Sequence, residues 1–191
     1  MAAKTKSQLA DKFSGPSSLL YQSAVLNITE GANGTKTFTA SPELDVPCKV
    51  DSLNFEQGEA EVEEYKVIGL SGAWITDSEP GDIDLGFRVP SISEDILKLA
   101  FGEDAVSSIT GKVDDVDYEG LALILKNKKV QGTWMIVNSA KDRIMVINNT
   151  ALFASLVLDS DAKGVIAVDF NGSIETDGTN PDVIFLKKKS A

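Results

Sequence analysis

Hydrophobic and polar positions alternate with a period of two along most of this chain, and only one stretch changes to the period of a helix. In that stretch Ile92, Ile96 and Leu99 or Ala100 recur at helical spacing, with Leu97 and Phe101 beside them, which predicts a short amphipathic helix over residues 91–101. Ser91 followed by Glu94 fits a capping box, Glu94 and Asp95 suit the positive first turn, and Gly102 supplies the stop. Leu97 and Phe101 are expected to pack on a sheet, and residues 103–109 to extend the helix as a frayed turn. Everything else reads as strand or turn.

Asn33-Gly34 between residues 19–29 and 35–39 is a hairpin signal, because both central positions of a tight turn favour positive φ. Pro42 and Pro47 interrupt pairing, and residues 50–53 are expected to resume it. Residues 54–70 form the longest strand-like run. Phe55, Glu59, Glu61, Glu63, Tyr65 and Val67 share one side of it, and Ala60, Val62, Glu64, Lys66 and Ile68 the other. Residues 69–74 continue toward a further strand, and residues 76–82 read as a projecting polar loop before 82–89 leads into the helix. The apolar run 121–125 suits a fully buried strand. Residues 133–138 and 143–148 predict a hairpin across Ser139–Asp142, and residues 152–158 and 165–174 another across 159–164. The last of these strands places Ile166, Val168, Phe170 and Ile174 on one face, with Asp169, Asn171, Ser173 and Glu175 on the other. Residues 183–186 suit an edge strand. The pattern therefore predicts a mainly β fold, an antiparallel sandwich or barrel with one flanking helix. Residues 1–18, poor in large apolar side chains, form an extended, partner-dependent arm ahead of one domain over 19–191.

Composition narrows the chemistry. The 191 residues include no histidine, which removes the usual general base and the commonest metal ligand. Cys48 is the only cysteine, so neither an intrachain disulfide nor a multi-cysteine metal site can form. No phosphate-cradling glycine loop occurs, no apolar run approaches the roughly 18 residues of a membrane span, and no leader-like segment follows the basic N-terminus. Residues 51–120 hold 18 acidic against 4 basic side chains, whereas the rest of the chain is slightly basic. Two acidic stretches resemble ion loops. In Asp159–Gly164, Lys163 replaces a ligand and Phe170 stands where a bidentate glutamate belongs, so a hairpin turn is favoured; Asp114, Asp115 and Asp117 lack neutral ligands and read as a solvated loop. The reading predicts no enzyme, cofactor or metal site. The sequons at Asn27, Asn33, Asn148 and Asn171 are discounted as accidental.

The order of parts carries a resemblance. A long acidic hairpin-like segment is followed by Asp84-Leu85-Gly86-Phe87-Arg88-Val89-Pro90 and a capped helix ending Leu99-Ala100-Phe101-Gly102. Hairpins then lead to a closing strand with Gly172-Ser173-Ile174-Glu175. Over residues 20–186 this resembles bacteriophage tail tube (major tail) proteins, which are related to the tubes of contractile injection systems. The resemblance implies homohexameric rings stacked into a hollow tube in the virion tail, other tail proteins at the tube ends, and DNA passing without specific binding. It also implies that Glu59, Glu61, Glu63, Asp169, Asn171 and Glu175 face the lumen, where negative charge repels phosphate. An extracellular β-sandwich binding module and a small carboxylate enzyme are the competing classes.

Overall fold

The computed structural model describes residues 12–66, 68, 71, 73–79, 81–159 and 164–189. It is mainly β with one short α-helix. The first strands are β1 (Pro16–Gln22), β2 (Thr29–Glu30), β3 (Lys36–Thr37), β4 (Leu44–Val46) and β5 (Asn54–Gln57). They are followed by β6 (Glu61–Lys66), β7 (Ala73–Glu79), β8 (Ile83–Val89) and helix α1 (Glu94–Phe101). After a 3-10 turn come β9 (Val106–Val113), β10 (Val116–Leu123), β11 (Lys129–Asn138), β12 (Arg143–Asp159), β13 (Val165–Ile174) and β14 (Val183–Lys187). The chain divides into two compact units, Met1–Pro47 with Gly132–Asn149 and Thr176–Ala191, and Cys48–Gln131 with Thr150–Glu175.

In the first unit the antiparallel order is β4-β1-β11-β12, with β14 on the other side of β12. Leu26, Met135 and Val146 are buried on one face under Leu20, Phe38, Ile184 and Leu186. Leu19, Tyr21, Val46 and Trp134 are buried on the other, with the rings of Tyr21 and Trp134 4.7 Å apart. Asn148, itself buried, accepts from the Leu26 N–H at 2.9 Å and contacts the Thr133 hydroxyl at 3.0 Å, which gives these three buried groups partners inside the core. The Asn33-Gly34 turn forms, with Gly34 at φ 71°, but its ladder holds only Thr29↔Thr37 and Glu30↔Lys36; residues 16–22 pair instead with β11 and β4. Part of the expected arm is thereby ordered. Ser17 Oγ donates to the Asn138 carbonyl at 2.9 Å and Ser139 N–H donates to the Gly15 carbonyl at 2.9 Å, which ties residues 15–18 to the β11–β12 turn. Residues 1–11 lie outside the described ones.

In the second unit the order is β12-β13-β8-β5. Residues 83–89 alternate without a fault, and Leu85, Phe87 and Val89 are buried against Phe170, Val168 and Leu152 of the neighbouring strands. The rings of Phe87 and Phe170 stack at 5.1 Å. Two further pairs, β6–β7 and β9–β10, form sheets of their own.

Several expectations are corrected here. The run 54–70 breaks into β5, paired with β8, and β6, paired with β7, because Gly58 turns the chain and its N–H donates to the Asp82 carbonyl at 2.8 Å. The residues expected to project as a loop, 76–82, lie largely in β7: pairing with β6 outweighs the turn preference of Thr-Asp-Ser. Residues 50–53 turn rather than pair, with Asp51 at φ 67°. After the 3-10 turn Glu103–Ala105, residues 106–109 are strand, not helix, since they complete the ladder with β10. The run 121–125 is not a buried strand: Leu121 ends up exposed in a β9–β10 ribbon that among the described residues pairs with no further strand, and Ile124 and Leu125 are exposed in the coil after it.

The helix begins later than its capping box predicts. Ser93, extended at ψ 154°, is the N-cap, and its carbonyl accepts from the Leu97 N–H at 3.0 Å without a side-chain cap. Ser91 is outside the helix, where its hydroxyl accepts from the Ser93 N–H at 3.3 Å, a local turn that outcompetes the cap two residues early. Ile92 is accordingly exposed, and Glu94, at the first helical position, pairs with Lys98 at 2.8 Å instead of reaching back. Leu97 and Phe101 are buried together with Ile96, Leu99 and Ala100. Lys128 Nζ caps the far end by donating to the carbonyls of Lys98 and Leu99 at 3.2 and 3.1 Å.

Candidate functional site: a polar sheet face and two exposed ribbons

The alternation that buries Leu85, Phe87 and Phe170 turns Asp84, Gly86 and Arg88 of β8, and Asp169, Asn171 and Ser173 of β13, to the opposite face. Asn54 of β5 stands beside Gly86 in register. Asn54, Asp84, Gly86, Arg88, Asp169 and Asn171 line an open depression of about 530 Å³ together with Ser52. Arg88 lies directly across from Asp169 and donates twice to its carboxylate, Nε to Oδ1 at 2.6 Å and Nη2 to Oδ2 at 2.8 Å. Such a bidentate pair fixes both side chains and cancels the anionic charge at the centre of this face. A Cβ at Gly86 would stand 2.8 Å from Asn171 Oδ1, so a side chain there would displace the Asn171 amide.

The six residues expected to line a lumen fall on and beside β13, on β6, and in the coil between β5 and β6. Asp169 is paired with Arg88, and Glu175 with Lys129 and, at 3.4 Å, Gln131 Nε2. Asn171 is exposed on the same face of β13 as Asp169. Glu59 sits in the coil between β5 and β6, outside the strand that was expected to carry all three glutamates. Glu63 is exposed in β6; Glu61 and Glu63 stand in register opposite Glu79 and Asp77 of β7, in a sheet separate from β13. Four acidic residues thus occupy two alternate rungs of one ribbon, with Val62↔Ser78 between them. Arg88 and Asp84 were not singled out from sequence, although the strict period of two over 83–89 places both on the polar face.

The second ribbon is the more unusual surface. β9 and β10 pair over eight rungs, from Val106↔Leu123 to Val113↔Val116, and residues 107–121 are exposed throughout. Asp114 and Asp115 make its turn at φ 49° and 60°, a tip that tolerates Asp in the left-handed region. Among the described residues no group of three or more His, Cys, Asp or Glu side chains is placed to hold a metal ion, the Asp114–Asp117 tip included. The expected loop 159–164 is only partly within the described residues. No described helix is long and apolar enough to cross a membrane.

Protonation follows these contacts. Burial, then the nearby Glu43 charge, pushes the Tyr21 hydroxyl up to about 12. Burial raises the Cys48 thiol, opposed by its contact with Ser52. Hydrogen bonds to Glu94 and Glu103 raise Lys98, and the Lys126 ammonium lowers Asp104. Asp177 is lowered chiefly by the Asn180 N–H, which donates to it at 2.7 Å. Each of these groups holds a turn, a helix end or a core contact. No protein-family model matches the chain, and no curated protein matches it in sequence.

Proposed function

We propose that this protein is a structural subunit that assembles with copies of itself into hexameric rings stacked as a tube, the DNA conduit of a phage tail. The observation that carries the reading is the β9–β10 ribbon, which exposes Ile109, Val113, Val116 and Tyr118, each at least half accessible, and which among the described residues pairs with no further strand. A two-stranded ribbon alone is marginally stable in water, and large apolar side chains in a row along it call for a partner surface. Open strand edges add to this, since subunits that join their sheets remove them. An excess of acidic side chains, −11 overall, suits a conduit that DNA phosphates traverse without adhering. Other tail proteins would close the tube ends.

Electron microscopy and sedimentation velocity on the purified protein test this. Rings or tubes are expected; a monomer that persists at high concentration refutes it. The open depression around Arg88, Asp169 and Asn171 favours a second reading, a β-sandwich binding module, for which a monomer binding a small polar ligand there is the expected result.

A further inference from the structure

Over its outer five rungs, from Val116↔Val113 to Gly120↔Ile109, the β9–β10 ribbon is amphipathic across its two faces, while nearer its base Leu121, Val106 and Leu123 fall on the polar side. Its register puts Ile109, Gly111, Val113, Val116, Tyr118 and Gly120 on one side, and Thr110, Lys112, Asp117 and Glu119 on the other. The two glycines open the apolar side, for a Cβ at either would meet nothing within 4 Å. At the tip Asp114, Asp115, Asp117 and Glu119 outnumber Lys112, whose ammonium reaches Asp117 at 3.6 Å. The ribbon therefore presents an apolar flank that ends in net negative charge.

The first unit carries the converse surface. Among the described residues β14 pairs with β12 alone, which leaves its other edge unpaired there, and Phe185 stands 71% exposed in it. Beyond Phe185 the strand runs into Lys187, Lys188 and Lys189, all exposed. The Lys188 N–H donates to the Asp142 carbonyl at 2.8 Å, which brings the lysine run beside exposed Lys141 of the β11–β12 turn. Among the described residues none of these four lysines forms a salt bridge. An open edge guarded by lysines resists pairing with its own kind and accepts a strand that brings acidic side chains.

We infer that the β9–β10 ribbon of one copy docks along the β14 edge of a second copy, its acidic tip against Lys187–Lys189 and its apolar flank over Phe185. Charge complementarity selects a second copy as the occupant: each chain bears both the acidic ribbon and the basic edge. The two patches differ, so each copy can offer its ribbon to one neighbour and its edge to another, as a ring or a filament requires. This rests on the self-assembly proposed above and names its surfaces.

A charge swap tests it. One variant carries Asp117→Lys and Glu119→Lys, the other Lys187→Glu and Lys188→Glu; all four positions are exposed strand or tail residues, and circular dichroism confirms folding. Each variant alone should associate at least tenfold more weakly than wild type in sedimentation velocity. An equimolar mixture should regain assembly, as should the chain carrying all four substitutions. Wild-type assembly that both variants retain unchanged overturns the assignment and leaves self-assembly standing. Loss in both variants without recovery in the mixture also overturns it, because reversed charges that meet should attract. A monomeric wild type refutes the self-assembly reading itself, and this inference with it.

Discussion

Gly172 sits in the middle of β13 opposite Leu152 of β12, and the backbone there leaves no room for a side chain. A Cβ added at Gly172 would stand 2.1 Å from the Ala151 carbonyl oxygen, 2.9 Å from Leu152 Cα and 3.0 Å from Ala151 C. All three are main-chain atoms, so no rotamer change relieves the clash, and the strands must separate by roughly 1 Å to restore ordinary contact distances. Overpacking of this kind costs on the order of 1–3 kcal/mol, and strained ladder hydrogen bonds beside it place Gly172→Ala at the upper end. At about 2–4 °C per kcal/mol for a chain of this length, Tm should fall by roughly 6–12 °C. Gly111→Ala is the control, since its Cβ enters open space. There the smaller entropy of the unfolded chain should stabilise by about 0.4–1 kcal/mol. Thermal unfolding followed by near-UV circular dichroism reads both. If Gly172→Ala melts with wild type, the close approach of β12 and β13 is wrong; if Gly111→Ala is as damaging, the ribbon is not open.

Leu97→Ala should cost about 2–5 kcal/mol, because a buried leucine leaves a cavity, whereas Ser91→Ala should cost little now that Ser93 holds the cap position; equal losses in chemical denaturation would contradict this. Asn148→Ala leaves the buried Leu26 N–H without its acceptor and should destabilise by about 1–3 kcal/mol, while a neutral result would mean that water replaces it. Tyr21 is raised to about 12 in the fold against about 10 when unfolded, so its contribution is fully present below pH 10 and is lost as pH rises toward 12. Tyr21→Phe should flatten that alkaline loss, and an unchanged slope would assign it to other groups. In assembled particles, Glu59→Lys with Glu63→Lys should slow DNA passage by adding phosphate contacts; unaltered delivery places both glutamates outside the bore.

What was legible in the sequence was whatever local pattern decides. The alternation in 83–89 and 165–174 announced both faces of the second unit's sheet, and Leu97 and Phe101 fell on the buried side of the helix. Partner choice was not legible. Residues 19–22 had an attractive nearby partner across Asn33-Gly34, yet they pair with β11 more than a hundred residues away. Residues 121–125 are apolar enough for a core, yet Leu121, Ile124 and Leu125 are exposed, because an apolar run does not say which strands its own strand will join. At the candidate face, Asp169 looked like a bare lumen charge because the cation that neutralises it, Arg88, is 81 positions distant. Ser91 misled for the opposite reason: its competing turn spans only two residues, and both patterns share the same Ser-x-Ser-Glu letters.

The separation between β1 and β11 also sets a timetable for synthesis. Because β1 must wait for Thr133–Asn138, it cannot find its β11 partner during synthesis until about seven tenths of the chain has been made, and the unit closes only later, with β14. At 5–20 residues per second that is a wait of roughly 6–23 s after Gln22 is made. Throughout it the Leu19–Tyr21 segment remains an orphan strand on a nascent chain, high in contact order and slow to find its place. Crowded polysomes expressing this protein would thus hold many such strands at once, which makes the early part of the chain the point where chaperones decide its yield.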